Sequence, residues 1–305
     1  MLFIEQFLET SLAERGIAQN TLLSYKRDLL DFSNYLTKCD KDEFNLAAVD
    51  IDAYIRFLSE NNISPRSIGR KISTLKSYYN FLISENHISY NPVLIIDLPK
   101  YYNKLPDILS VDEIAKLLEY CDKDESYEGI RFSAMIHLAY ASGLRVSELV
   151  SIKLFEITVN NATQIRKSFS IIGKGSKERI VVINDKAKKS LEDYLKIREN
   201  FCIGKSARAR NFFFPSASST GHMTRQNFAL LLKKYTLEAG LDPEVVSPHV
   251  LRHSFASHLL EGGANLRIIQ ELLGHSDIGT TQIYTRVQTH RLKKVLKDFH
   301  PLEQE

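Results

Sequence analysis

Three prolines, at positions 92, 99 and 106, fall within the stretch ISYNPVLIIDLPKYYNKLP at 88–106. Proline lacks a backbone N–H and its ring collides with the preceding turn, so no continuous helix crosses this stretch. The chain is therefore expected to fold as two bodies joined here, and its 305 residues are enough for both. The sequence pattern sets the expected boundaries at residues 1–88, a linker over 89–106, and a second body over 107–298.

The first body reads as helical throughout. Ile4, Phe7, Leu8 and Leu12 recur at helical spacing and stop at Gly16. Asn20 or Thr21 is expected to cap a second helix whose apolar stripe is Leu22, Tyr25, Leu29, Phe32 and Leu36. Asp50 is expected to open a shorter third helix through Phe57 and Leu58. Ser64 followed by Pro65 sets a cap before a proline at the first helical position, and starts a fourth helix that runs to about Ser84. Its apolar side carries Ile68, Ile72, Leu75, Tyr79 and Leu82. Arg66, Arg70, Lys71 and Lys76 follow one another with no acid between them. Such a basic face is either simply solvated or laid along DNA, where it displaces counterions from phosphates.

The second body mixes periods. Ser110 and Glu113 form a capping box, and the apolar run 130–142 reads as a buried helix ended by Gly143. Arg145 then opens another helix with Glu148 three residues on, where Glu148 either orients the guanidinium or simply pairs with it. A cation at a helix start opposes the macrodipole, and a bound anion would relieve that cost. Residues 154–183 turn to β character. FSIIGKGSKERIVVI reads as a hairpin with Lys174 at its tip, a lysine that serves either solubility or chemistry. Helices are expected again over Asp185–Glu199 and Met223–Ala239, separated by a basic loop GKSARAR (204–210) and a buried FFFP (212–215). Arg225 and Gln226, at the start of the latter helix, are residue types that read guanine and adenine edges. The fold class expected is mainly α with a small β-sheet, α+β.

Composition excludes several classes. No apolar run approaches the roughly 20 residues that span a bilayer, so no membrane insertion is expected. The start MLFIEQFLET has no basic segment followed by an apolar one, which points to a cytoplasmic protein. Cys39, Cys121 and Cys202 are far apart and form no C-x-x-C pair, against both a zinc site and a disulfide framework. Charge is uneven: residues 1–100 hold 11 Lys and Arg against 13 Asp and Glu, and the remainder 29 against 24, so the second body is the basic one.

One stretch concentrates chemistry. In PHVLRHSFASHLLEGGANLRIIQELLGHSDIGTTQIY (248–284), His249 and Arg252 are three apart and share a helix face. His275 follows the helix-ending Gly274, and Tyr284 comes nine residues later. His249 and His253 have a zinc-like spacing, but position 250 is Val rather than Glu and no third ligand is evident, so no metal is expected. Combined with Arg145 and Lys174, the set suits phosphodiester chemistry. Two arginines hold the non-bridging oxygens as charge builds on them. A phenol of pKa about 10 needs a nearby base or cationic pocket to act as a nucleophile.

These residues are where the chain resembles a known family, the tyrosine recombinases or phage-integrase family, and within it the Xer chromosome-dimer resolvases. ERGIAQNTLLSYKRDLLDFSNYL resembles the family's N-terminal core-binding helices. SGLRVSEL resembles its first-arginine box, GKGSKER its lysine hairpin, and HVLRHSFASHLLEGGANLRIIQELLGHS its second box. HSDIGTTQIYTRV is closer to the XerD-type pattern than to the XerC-type one. The resemblance runs nearly end to end. It implies a four-helix, SAM-like core-binding domain and a catalytic domain that together form a C-shaped DNA clamp. It also implies roles: Arg145 and Arg252 clamp the scissile phosphate, Lys174 is the general acid, and His249 handles the tyrosine proton. His275 supports the phosphate, and Tyr284 forms a 3′-phosphotyrosyl link. No cofactor is implied, because one phosphodiester is exchanged for another. The implied partners are a duplex recombination site, a XerC-type recombinase in a heterotetrameric synapse and an FtsK-type translocase, for converting chromosome dimers to monomers before division. An integrase or transposon recombinase of the same family, and a non-catalytic DNA-binding protein of the same fold, remain as alternatives. The chain departs from the family at Arg286, where His commonly follows Tyr-Thr. The tail THRLKKVLKDFHPLEQE resembles the family's last helix, expected to dock on a neighbouring subunit through Val287, Leu292, Val295, Leu296 and Phe299, or else to form an intramolecular lid.

Overall fold

Helix caps and apolar stripes account for most of the architecture. The computed structural model describes residues 1–14, 16–94, 96, 107–159, 163–173, 178–274 and 286–301, with backbone only for 286–291 and 293. The chain divides into two compact units, Met1–Asn103 and Lys104–Glu305.

The first unit contains α1 (Ile4–Ala13), α2 (Gln19–Lys38), α3 (Ala48–Glu60) and α4 (Pro65–Ser84). Two starts differ from the sequence reading. Helix α2 begins before Asn20, with Ala18 at its N-cap and no side-chain cap bond. In α3, Asp50 stands in the first turn and accepts from the Ala47 N–H at 2.9 Å instead of opening the helix. Ser64 caps α4 as expected, accepting from the Ser67 N–H at 3.3 Å. Leu29, Phe32, Leu36, Tyr54, Ile72, Leu75, Tyr78 and Phe81 fill the core. Residues beyond α4 continue this unit: Val93 is buried in the same core, and Asn91 Nδ2 donates to the Lys76 carbonyl at 3.1 Å.

The basic run on α4 splits in two. Arg66 and Lys76 are exposed. Lys71 instead points inward, and its Nζ lies 3.3 Å from Asp28 and 2.6 Å from Asp31. Asp28 is fully buried on α2 and also accepts from Arg70 and from the Thr74 hydroxyl. Lys71 as a phosphate contact is therefore corrected: its charge is neutralised inside the unit. A buried ion pair loses far more when one partner is removed than its net worth suggests.

The second unit is built around α6 (Tyr127–Ser142), buried on nearly every side, which packs against α5 (Val111–Asp122), α9 (Asp185–Ile197) and α12 (Pro248–Glu261). Short helices α7 (Val146–Ser151) and α8 (Leu154–Ile157) lead into two hairpins, so the expected β region begins with a helical turn. Strand β1 (Thr158–Val159) pairs antiparallel with β2 (Gln164–Ile165), and β3 (Ser168–Ile172) with β4 (Glu178–Val182). In the second hairpin Ile171 lies opposite Arg179 and Ser168 opposite Val182. A 3-10 turn over Arg198–Phe201 follows α9, and α10 (Ala207–Arg210) occupies part of the expected basic loop. Arg198 donates to the carbonyls of Arg210, Phe212 and Phe213 at 2.6, 2.7 and 3.1 Å, pinning the buried FFF segment.

Helices α11 (Arg225–Glu238), α13 (Leu266–Leu273) and α14 (Arg286–Phe299) complete the unit. For the tail helix the sequence leaves two readings open, docking on a neighbouring subunit or an intramolecular lid, and in this chain it packs on its own unit. Leu292, Val295 and Leu296 are buried in the unit's own core, against α12 and β4. The Phe299 carbonyl lies only 2.8 Å from where a Cβ on Gly262 would stand. His300 packs edge-on to Tyr140, 5.1 Å between ring centres. The described part of the apolar face of α14 is thus covered within the same chain, and the Val287 side chain lies outside the described residues.

Asp28→Ala would leave Arg70 and Lys71 without their shared carboxylate. It is expected to destabilise the protein by about 3 kcal/mol, read from urea unfolding, and an unchanged midpoint would remove the cluster from the account.

Candidate active site

The site grows from two glycines. Gly143 ends α6 and Gly274 ends α13, both in the left-handed conformation at φ 58° and 65°. A side chain at either position is strained and also blocked. A Cβ on Gly143 would strike the Phe255 ring, and one on Gly274 would stand 2.6 Å from Cδ of Arg179.

The carbonyls left open at the end of α13 are taken by guanidinium groups. Arg179 on β4 donates to the Leu272 carbonyl at 2.5 Å, and Arg252 on α12 to the Leu273 carbonyl at 2.6 Å. Arg145 donates to the Gly274 carbonyl at 3.4 Å. Arg252 also donates to the Gly143 carbonyl, which ties the end of α6 to the same cluster. A helix C-terminus carries partial negative charge, so cations are favoured there.

A single carboxylate serves the cluster. Arg145 is the N-cap residue of α7, and its own N–H donates to Glu148 Oε2 at 2.8 Å. Its Nη1 donates to Glu148 Oε1 at 3.0 Å, so Glu148 both pairs with the guanidinium and orients it. Arg179 Nη2 donates to Glu148 Oε2 at 2.8 Å. Burial alone would raise the Glu148 carboxyl. The Arg179 charge and the hydrogen bonds from Arg145 and Arg179 outweigh it and hold the carboxyl below its ordinary range. Arg252 is pushed down to about 10, first by burial and then by the neighbouring charges of Arg145 and Arg179. Three cations around one carboxylate leave a local excess of positive charge. Arg145 remains about 30% exposed, whereas the Arg179 and Glu148 side chains are only 4% and 5% exposed.

His249 is exposed in the first turn of α12, one turn before Arg252, where Ser247 caps the helix by accepting from the Val250 N–H at 3.2 Å. Arg225 and Gln226 are exposed in the first turn of α11, behind the Thr224 cap. Lys174, His275 and Tyr284 lie outside the described residues, as does the Arg286 side chain. The structure brings together Arg145, Glu148 and Arg252 and adds Arg179, which sequence reasoning passed over. Arg179 stands inside the quoted GKGSKER motif and was visible as an arginine running straight into the apolar Ile180, Val181 and Val182. Among the described residues no group of three or more His, Cys, Asp or Glu side chains is placed to hold a metal ion.

Two family models match the chain: Phage integrase, N-terminal SAM-like domain, over residues 4–86, and Phage integrase family over residues 107–291. The chain belongs to the phage integrase family. Tyrosine recombinase XerD of Rickettsia bellii is 61% identical over 303 residues, covering 99% of each chain. Tyrosine recombinase XerD of Caulobacter vibrioides is 40% identical over 298 residues, covering 98% of this chain and 96% of the relative. Among solved structures, the XerH site-specific recombinase bound to palindromic difH substrate in a post-cleavage complex superposes with a TM-score of 0.69 at 24% identity, covering 96% of this chain and 84% of that one. The Tn1549 transposon integrase in complex with transposon right end DNA gives 0.65 at 19% identity, covering 95% and 98%. The protein is a site-specific tyrosine recombinase acting in DNA recombination. Its fold, mostly helical with small two-stranded sheets, is the fold of these structures. No helix among the described residues is long and apolar enough to cross a membrane.

The lowered Glu148 carboxyl contributes stability that is fully present above the ordinary carboxylate range and is lost as pH falls below that range, through the depressed titration of the folded state. Glu148→Gln is expected to flatten the acid side of the recombinase's unfolding midpoint against pH. An acid limb identical to that of the unsubstituted protein would show that Glu148 carries no such linkage.

Proposed function

We propose that the recombinase cuts one DNA strand with Tyr284 and rejoins it to a partner strand without any cofactor. The Tyr284 oxygen attacks the scissile phosphorus, the bond to the 5′ oxygen breaks, and the 3′ phosphate is held as a phosphotyrosyl ester. The 5′ oxygen leaves with a proton from Lys174, while His249 takes the proton of the phenol. Arg145 and Arg252 hold the non-bridging oxygens, and His275 adds a further hydrogen bond. A 5′-OH from the partner strand then reverses the attack, so bond energy is conserved through a Holliday junction. The observation that carries this reading is the set of arginines gathered at the end of α13, with excess positive charge and Arg145 partly open to solvent. That charge is in place before any phosphate arrives, as electrostatic stabilisation of a transition state requires.

The domain roles we propose are a core-binding domain over 1–88, a linker over 89–106 and a catalytic domain over 107–298, closing as a clamp on duplex DNA. Arg66, Arg70 and Lys76, with Arg225 and Gln226, are the proposed DNA contacts. The identity to XerD relatives supports a cytoplasmic role with a XerC-type recombinase in a heterotetramer, converting chromosome dimers to monomers under an FtsK-type translocase.

Tyr284→Phe is expected to abolish covalent protein–DNA adducts on a nicked suicide substrate while leaving site binding intact. Adducts at the normal level would remove Tyr284 from the reaction. Replacing Arg66 and Lys76 together by Ala is expected to lower the slope of log affinity against log salt by about 2, one per lost phosphate contact. An unchanged slope would assign that face of α4 to solvent.

A further inference from the structure

Arg179 has no part in the chemistry proposed above, yet it touches more of the site's framework than any other side chain described there. Its Nη1 donates to the Leu272 carbonyl at 2.5 Å and its Nη2 to Glu148 Oε2 at 2.8 Å. Its aliphatic stem lies against the α-carbon of Gly274, so close that a methyl group there would meet Cδ at 2.6 Å. Two of these neighbours hold a clamp arginine themselves, and the third lies next to the carbonyl that holds the other. Glu148 and the Gly274 carbonyl hold Arg145, and the carbonyl beside Leu272, that of Leu273, holds Arg252. Arg179 is itself closed off from solvent and cannot reach a phosphate on the outside of the cluster.

We infer that Arg179 is a positioning residue of the recombination reaction: it locks Glu148 and the end of α13, so that Arg145 and Arg252 meet the scissile phosphate in fixed orientation. The inference rests on the clamp role proposed for those two arginines. The physical reason is the guanidinium fork. Its donors are rigidly spaced and bind a carboxylate and a carbonyl on two different elements at once, whereas a lysine ammonium is a point charge on a flexible stem. The hairpin strand β4, helix α7 and the end of α13 are thereby joined through one planar group.

The discriminating substrate carries a methylphosphonate at the scissile position. A methyl group in place of one non-bridging oxygen removes the negative charge that the clamp must neutralise, so an enzyme with a displaced clamp is less handicapped on it. Arg179→Lys keeps the buried positive charge beside Glu148 and so keeps the fold. It is expected to bind the recombination site normally but to form the Tyr284 adduct about 100-fold more slowly on a phosphodiester suicide substrate, the cost of a small misplacement of catalytic groups. On the methylphosphonate the deficit is expected to shrink to about threefold, and Arg145→Lys should show the same substrate dependence. Normal cleavage by Arg179→Lys overturns the inference. So does an equal deficit on both substrates, or loss of site binding, either of which marks a purely structural residue. Failure of the underlying reading looks different: the unsubstituted protein itself would then give no Tyr284 adduct on either substrate, and the inference falls with it.

Discussion

The C-terminus of one short helix, α13, is the constraint on which the catalytic unit depends. Its last three open carbonyls, those of Leu272, Leu273 and Gly274, each receive a guanidinium from a different element: β4, α12 and the start of α7. Charge-assisted hydrogen bonds are about twice as strong as neutral ones, and a helix end adds its own partial charge. The same cluster also holds the end of α6, because Arg252 takes the carbonyl of Gly143. Both helices can end this tightly only because glycine tolerates the left-handed conformation and leaves no Cβ in the way of Phe255 or Arg179.

That arrangement is costly by itself. Three like charges sit together with one carboxylate, and Arg252 is driven down to about 10 by burial and by its two cationic neighbours. Such strain is a form of preorganisation. The positive field is built during folding, from side chains whose other donors are already committed to carbonyls and to Glu148. A doubly coordinated anion completes the set without reorganisation when the reaction begins.

The first unit shows the opposite use of the same residue types. Arg70 and Lys71 look from their spacing like part of one basic face, together with Arg66 and Lys76. Asp28, buried on α2, pairs with both, but only Lys71 is drawn inside and neutralised there, while the Arg70 side chain stays 46% exposed. The helical period places a residue on a face, but it does not say whether a neighbouring helix presents a carboxylate there. The tail helix teaches the same lesson with apolar groups. Leu292, Val295 and Leu296 were legible as one apolar face, and what covers that face in this chain was settled by packing against α12 and β4.

Much of the molecule was legible before any tertiary contact was known. The four N-terminal helices, the capping boxes, the second hairpin and the glycine stops at 143 and 274 follow from local chemistry, because caps, turns and periodicity are short-range. Arg145, Glu148, His249 and Arg252 were recognisable because their motifs are contiguous in the chain. The inward turn of Lys71 and the choice between the two readings of α14 were not, since each depends on a partner from another element. By itself the sequence determined most of the long helices, the second hairpin and which residue types the site contains. Only the tertiary structure decided that Arg179 joins Arg145 and Arg252 at one helix end. Hydrogen bonds between residues some 90 to 130 positions apart, such as Arg179 to Leu272 and Arg145 to Gly274, have no counterpart in any local pattern.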